Sequence, residues 1–267
     1  EAVEVATGAD IIILAIGDTE QTSREGFAKN HLGDRTSLDL VGEQNDLFAA
    51  MKATGKPVIV CAINGRPPSY PAVVDGCNAL LECWYPGQEG GTAMADILFG
   101  DVNPGAKLPV TVARDAGQVP IFYNRKPSAR RGYVFEDITP LFPFGFGLSY
   151  TRFAIGKPRL SSERIGTGGS VAVEVDVRNV GDRQGDEVAQ VYVRDQTASV
   201  TRPIKELKGF ERVTLAPGET RTVRILLGPD AFALWNLDME EVVEPGLFDI
   251  MVGPDSETLQ SVTLEII

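Results

Sequence analysis

A chain of 267 residues, of which 43% are hydrophobic and 23% charged, has the composition of an ordinary globular protein and is long enough for two domains. Its formal net charge of −12 argues against nucleic-acid and anionic-membrane partners, because the field of the protein repels phosphate groups. No apolar run of the sequence approaches the roughly 20 residues that a membrane-spanning helix needs. We therefore expect neither a nucleic acid nor a membrane as partner.

The first part of the chain alternates between strand and helix patterns. In the strand predicted at 10–16, Asp10 is followed by a continuous apolar run, which is typical of a parallel strand covered on both faces. Further patterns predict strands at 58–63, 79–85 and 107–112 and helices at 42–54 and 89–100. This succession predicts an α/β fold with a mostly parallel sheet sandwiched by helices.

A polar stretch of roughly twenty residues, 22–40, follows the first predicted strand, where such connections usually span about 2–6 residues. Ligands gather at the carboxyl ends of parallel strands, so we expect an ordered loop that reaches toward a substrate. Among its carboxylates Glu25 is set apart, because Gly26 and Phe27 follow it. A carboxyl group beside an apolar ring favours its protonated form, which a general acid requires.

The second part of the chain changes character. Residues 114–150 are rich in Pro, Gly, Arg and aromatic residues, and we expect them to be ordered because so much aromatic surface would otherwise lie in water. From 171 to 177 valines alternate with other residues at period two, and later stretches repeat this pattern, which predicts a β-sandwich of about 100 residues. We predict an α/β domain at 1–152, a linker at 153–169 and the sandwich at 170–267.

The chain offers no pattern for a metal or redox site. Cys61, Cys77 and Cys83 lack metal-ligand spacing, and we interpret them as buried small hydrophobic residues. The glycines of GQEGGTAMAD precede a predicted helix, but no lysine follows as in a phosphate-binding loop, so helix-to-sheet packing explains them better.

Several motifs, taken in order, resemble the C-terminal half of family 3 glycoside hydrolases, with the bacterial β-glucosidase and β-xylosidase branch the most similar. They are TSREGF, GDRTSLDL, ATGKPVIVCAINGRP, LECWYPGQEGGTAMADILFGDVNPGAKLPVT, VPIFYN, LFPFGFGLSYTRF and RPIKELKGFERVTLAPGET. The similarity runs over essentially the whole chain. It implies an α/β sandwich domain followed by a fibronectin type III-like domain, both packed against an N-terminal (β/α)8-type barrel.

The resemblance also implies a chemistry. Family members retain the anomeric configuration with two carboxylates, an aspartate nucleophile from the barrel and a glutamate acid/base from a loop of the α/β sandwich. By its place in SREGF, Glu25 matches that glutamate. Retaining chemistry needs the two carboxyl groups about 5–5.5 Å apart, so a loop that crosses between domains must be long. No cofactor and no metal are implied.

For several further residues of the loop and the sheet, both a contact with substrate and a structural role are considered. Arg24 and Arg35 offer hydrogen bonds to substrate hydroxyls, although pairing with a carboxylate to hold the loop is favoured for Arg35. His31 has no Ser or Cys nucleophile pattern beside it, so it either orders the loop or contacts sugar hydroxyls. Trp84 and Tyr85 suit a sugar platform if exposed, but core packing is the stronger expectation.

The expected function is the acid/base-bearing portion of an exo-acting β-glucosidase that hydrolyses terminal β-linked glucose of oligosaccharides or aryl glucosides. The barrel with the nucleophile is missing, so we expect activity only with an N-terminal partner chain or domain. The alternatives are a β-xylosidase or other exo-β-glycosidase of the family, or a non-catalytic carbohydrate-binding module. A homo-oligomer stays open.

The chain begins at Glu1 without a methionine and without the basic and apolar regions of a signal peptide. We expect that an upstream part has been removed. The compartment therefore stays open, with a periplasmic or secreted location favoured over a cytoplasmic one.

Overall fold

The computed structural model describes residues 1–19, 22, 35–127, 132 and 137–267. The chain divides into two compact units. The first consists of Glu1–Val102 and Val112–Pro120, and the second of Asn103–Thr111 and Ile121–Ile267. The domain boundaries at residues 152 and 169 stay a prediction.

The first unit is built on a three-stranded parallel sheet in the order β1-β2-β3. Its elements are α1 (Ala2–Thr7), β1 (Ile12–Gly17), α2 (Gln44–Ala53), β2 (Val58–Ile63), α3 (Pro71–Gly76), β3 (Ala79–Glu82) and α4 (Gly90–Phe99). Helix α2 contacts β1 and buries Phe48 and Met51. The parallel sheet with its helices confirms the α/β fold class.

Strand β1 corrects the expectation that both of its faces are covered. Ile12, Leu14 and Ile16 are buried, whereas Ile13 is 53% exposed and Ala15 is exposed too. Successive side chains of a strand point to opposite faces, so within the described residues only the face that carries Ile12 is covered. The apolar run predicts a strand correctly, but it does not report which faces are buried.

The strand expected at 107–112 is absent, because in the described structure this stretch holds only an isolated bridge at Val112. Pro109 explains the difference, since proline has no backbone N–H to donate to a neighbouring strand. Strand β3 ends at Glu82, three residues before the predicted end, and Trp84 adopts a positive φ of 50°.

The second unit is a β-sandwich, as predicted. Its strands are β4 (Phe153–Ile155), β5 (Arg159–Leu160), β6 (Arg164–Ile165), β7 (Val171–Asn179), β8 (Gly185–Asp195), β9 (Glu206–Leu215), β10 (Thr220–Leu227), β11 (Leu234–Trp235), β12 (Glu241–Val242), β13 (Gly246–Gly253) and β14 (Gln260–Ile266). The main sheets have the orders β10-β7-β4, with β5 also paired to β7, and β6-β14-β13-β8-β9. The short strands β4, β5 and β6 lie in the stretch that we expected to be a linker.

The alternation of valines at 171–177 places an apolar row inside the sandwich. Val171, Val173, Val175 and Val177 are buried in a core that also contains Phe232 and Phe248. The rings of these phenylalanines meet edge to face, with centroids 5.3 Å apart. Period two therefore reports both the strand and its buried face here.

The described part of the aromatic-rich stretch after residue 120 contributes ordered contacts to the second unit, whereas residues 128–131 and 133–136 lie outside the described residues. Tyr123 stacks on Phe144 with ring centroids 4.4 Å apart, and its hydroxyl accepts a hydrogen bond from the Leu207 backbone N–H. Gly145 lies against Gln190, whose Nε2 donates to the Gly145 carbonyl at 3.1 Å. A Cβ at Gly145 would lie 2.2 Å from Gln190 Oε1, and its φ of 82° is a conformation that favours glycine.

Across the described residues, no helix combines the length and the apolar character that a crossing of the membrane requires.

Candidate functional site

The carboxyl ends of β1 and β2 bring three charged side chains together. Asp18, directly after β1, is buried, and its Oδ2 accepts a 3.3 Å hydrogen bond from Arg35 Nη1. Arg66, three residues beyond the end of β2, places Nη2 3.2 Å from the same oxygen. Because β1 and β2 are parallel, their carboxyl ends lie at one edge of the sheet, where α/β folds bind ligands.

Arg35 also holds the backbone on both sides of itself. Its Nη1 donates to the Thr22 carbonyl at 3.3 Å, and its Nη2 donates to the Asp39 carbonyl at 2.7 Å. A planar guanidinium suits this role because its donors point in fixed directions. Arg35 thus joins Asp18, which precedes the polar stretch, to Asp39 near the end of that stretch.

A second contact closes the same region. Gln44, the first residue of α2, accepts a 2.7 Å hydrogen bond from the Gly17 N–H and donates to the Gly17 carbonyl at 2.9 Å. The same Nε2 donates to the Val41 carbonyl at 2.8 Å. Gly17 has a φ of 147°, and a Cβ there would lie 1.8 Å from the Ile63 carbonyl oxygen, so β1 must end in glycine.

The charges of this cluster are not fully matched by hydrogen bonds. Burial raises the pKa of Asp18 above its ordinary value, while the Arg35 guanidinium opposes that rise. Asp18 Oδ1 and the Arg66 nitrogens Nε, Nη1 and Nη2 are buried, and none has a hydrogen-bond partner in the structure as described. Unsatisfied buried polar atoms are costly, so the cluster is not explained by stability alone.

A half-buried carboxylate also ends β3. Glu82 Oε2 accepts a 2.5 Å hydrogen bond from the Tyr70 hydroxyl, and Oε1 accepts from Asn64 Nδ2 at 2.9 Å and from the Trp84 N–H at 3.4 Å. Burial raises the pKa of Glu82, although the three donors oppose this. Trp84, which donates one of these bonds, has a positive φ of 50°.

The predicted site residues fall into two groups. Arg24, Glu25 and His31 lie outside the described residues. Arg35 is described, and it lies against Asp18. The roles assigned to these four residues stay predictions.

Sequence reasoning missed Asp18, Arg66, Gln44 and Glu82 as partners in one region. The available signal was their position, since Asp18 and Arg66 follow predicted buried strands and so belong to the ligand-binding edge. Glu82 was hidden by the expectation that the third strand continues to residue 85.

The cysteines are free thiols, with Cys61 buried and Cys77 and Cys83 half-buried. Their interpretation as buried residues therefore holds in full for Cys61 alone. Within the described residues, no three or more His, Cys, Asp or Glu side chains lie together in a group that could hold a metal ion.

Comparison with known proteins identifies the family. Residues 1–150 match the model of the glycosyl hydrolase family 3 C-terminal domain. The chain belongs to glycoside hydrolase family 3. Residues 187–256 match a fibronectin type III-like domain, which agrees with the β-sandwich of the second unit. The family 3 resemblance of the motifs is therefore confirmed.

Relatives in family 3 are much longer than this chain. A β-xylosidase of Formosa agariphila is 48% identical over 272 residues, which cover 100% of this chain and 37% of the relative. A periplasmic β-glucosidase of Salmonella typhimurium is 39% identical, with 100% and 36% covered. The chain thus spans little more than a third of the length of these relatives.

Solved structures of longer β-glucosidases also match nearly the whole of this chain. A β-glucosidase from Erythrobacter marinus superposes with a TM-score of 0.96 at 48% identity, covering 99% of this chain and 35% of the other. A β-glucosidase from Listeria innocua in complex with glucose superposes with a TM-score of 0.91 at 35% identity, covering 99% and 38%.

Proposed function

We propose that this chain is the C-terminal, acid/base-bearing portion of a retaining, exo-acting β-glucosidase. The observation that carries the proposal is the polar cluster at the carboxyl edge of the sheet. In a family 3 chain, that cluster ties together Asp18 and Asp39, which flank the stretch containing Glu25. The names of several relatives, which are β-glucosidases, support glucose as the sugar.

In the proposed reaction, Glu25 begins protonated. An aspartate of an N-terminal barrel attacks the anomeric carbon and forms an ester bond, while the glycosidic oxygen leaves with the proton of Glu25. The Glu25 carboxylate then takes a proton from water, whose oxygen attacks the anomeric carbon and releases the aspartate. Carboxylates alone carry this chemistry, so it requires no cofactor.

The nucleophile is proposed to come from outside the given chain. Relatives continue over nearly three times its length, which leaves room for a (β/α)8-type barrel. Arg24 and His31 are the proposed contacts to sugar hydroxyls of a β-linked oligosaccharide or aryl glucoside. Arg35 keeps this proposed contact as well, although its bonds to Asp18 and Asp39 favour a role in holding the loop.

A β-xylosidase is the second candidate, because a β-xylosidase of Formosa agariphila is 48% identical to this chain. The choice between glucose and xylose is proposed to lie mainly in the barrel. A non-catalytic carbohydrate-binding module is the alternative outside enzymes. It would bind sugar in a titration and show no turnover in any complete polypeptide.

The test is Glu25→Gln in the complete polypeptide, assayed with aryl β-glucosides and β-xylosides of graded leaving-group ability. We expect kcat/KM to fall by about 10²–10⁴-fold for poor leaving groups and far less for dinitrophenyl glycosides. Azide should restore turnover of the dinitrophenyl glycosides, because it replaces the water that Glu25 no longer activates in the second step. Glu43→Gln is the matched control, because Glu43 is an exposed carboxylate outside the cluster. Unchanged kinetics of Glu25→Gln would remove the proposed role.

A further inference from the structure

The strongest unexplained feature outside the proposed chemistry is the guanidinium of Arg66. Its side chain is 11% exposed, and Nη2 lies 3.2 Å from Asp18 Oδ2. Its three guanidinium nitrogens nevertheless lack a hydrogen-bond acceptor anywhere in the described structure. A buried cation that uses so few of its donors loses hydration without regaining it in hydrogen bonds, so its presence needs a reason other than stability.

The role of Arg66 follows from its contact with Asp18. The carboxylate of Asp18 is fully buried as a side chain, and it is shared by Arg35 and Arg66. Arg35 comes 17 residues after Asp18 and carries the bonds to the Thr22 and Asp39 carbonyls. A buried carboxylate between two guanidinium groups stays ionised more readily than it would with one, because each cation favours the charged form.

Arg66 and Arg35 lie against the same oxygen of Asp18, but they come from different parts of the chain. Arg66 belongs to the NGRP turn after β2, which Pro67 and Pro68 stiffen by fixing their φ angles. The sheet thus supplies a rigid positive group that holds Asp18, and Asp18 holds Arg35. The chain of contacts runs from β2 through Arg66 and Asp18 to both flanks of the stretch with Glu25.

We propose that Arg66 is a positioning residue for the acid/base: by fixing Asp18 it keeps Arg35, and with it the flanks of the Glu25 stretch, in the geometry that places the general acid. This inference rests on the proposed function. A misplacement of the acid by about 1 Å costs about 10²-fold in rate, so a residue that never touches the substrate has a large effect on the protonation step.

The test compares Arg66→Met, Arg66→Lys and Glu25→Gln in the complete polypeptide. For Arg66→Met we expect kcat/KM to fall by about 10²-fold with poor leaving groups and to change little with dinitrophenyl glycosides, because kcat/KM reports the first step, in which the acid protonates the leaving group. Arg66→Lys is expected to recover part of the loss, because an ammonium still neutralises Asp18 but lacks the planar fork. If Arg66→Met does not fold, the Lys variant decides with the same leaving-group series.

Arg212→Met is the matched control, because Arg212 pairs with Asp186 on the surface of the second unit and its side chain is 59% exposed. It should leave the leaving-group dependence unchanged. A loss of kcat/KM that is equal for all leaving groups, or none at all, in both Arg66 variants would overturn the positioning role. If the loss in Glu25→Gln does not depend on the leaving group either, the proposed function itself is wrong. If the loss in Glu25→Gln depends on the leaving group and the loss in the Arg66 variants does not, only the inference on Arg66 is wrong.

Discussion

Gln44, at the start of α2, exchanges two hydrogen bonds with the backbone of Gly17, the last residue of β1, at 2.7 and 2.9 Å. The Gln44 amide thereby pairs with the backbone N–H and carbonyl of Gly17, as the backbone of a neighbouring strand would. It also donates to the Val41 carbonyl, so the first strand, the approach to α2 and the helix itself meet at one side chain.

We expect Gln44→Met to destabilise the chain by about 2–3 kcal/mol, because three part-buried hydrogen bonds are lost and the Gly17 backbone groups are left without this partner. Urea denaturation measures the change. Gln184→Met, at an exposed position of the second unit, is the matched control and should change the free energy of unfolding little. Equal effects of the two substitutions would contradict this role of Gln44.

The half-buried carboxylate of Glu82 predicts a pH dependence of stability. Burial raises its folded pKa above 4.5, the ordinary value, so the folded state binds the proton more tightly than the unfolded state does. Its contribution to stability is complete below pH 4.5 and is lost as the pH rises through the folded pKa. Each unit of the rise corresponds to about 1.4 kcal/mol.

The measurement is the free energy of unfolding of the wild type and of Glu82→Gln between about pH 4 and pH 8. Carboxyl groups with an ordinary or a raised pKa titrate in about this range. We expect the stability of the wild type to fall with pH relative to that of the variant, since glutamine does not titrate. Asp18 and Asp195, whose pKa values are also raised, are common to both proteins and cancel in the difference. A pH-independent difference would show that Glu82 does not titrate differently on folding.

Gly145 and Gly218 provide a matched pair in the second unit. Both have left-handed backbones, with φ of 82° and 76°, but a Cβ at Gly145 would meet Gln190 at 2.2 Å whereas nothing lies within 4 Å of one at Gly218. We expect Gly218→Ala to cost about 1 kcal/mol of stability from the backbone alone, and Gly145→Ala about 1–3 kcal/mol more from the steric conflict. Thermal and urea unfolding of both variants would check this, and equal costs would rule out the close approach at Gly145.

Much of the fold is predictable from short-range pattern. The apolar runs at 11–16 and 58–63 predict β1 and β2, and the valines at 171–177 predict both a strand of the sandwich and its buried face. Pattern fails where one residue overrides it, as Pro109 does in the expected strand at 107–112. It also fails on the faces of β1, because burial depends on which other elements lie against the strand.

The site was predictable only in part. Arg35 was expected to pair with a carboxylate, and the structure places it against Asp18, but the sequence does not say which of several acids is chosen. Arg66 and Gln44 join the same region through contacts over long sequence separations, and no local period reports such contacts. Asn64, Tyr70 and Glu82 converge only once β2, α3 and β3 have their places in the first unit.

The uncovered face of β1 has a practical consequence for anyone preparing this chain by itself. Ile13 pairs with Ile59, and Ile59 pairs with Ala79, so an apolar row crosses all three strands of the sheet. Ile13 and Ala79, at the two ends of this row, are exposed. We expect molecules in a concentrated sample to associate through this apolar row despite their net negative charge. Light scattering at rising concentration should reveal this self-association, and replacing Ile13 with lysine should suppress it.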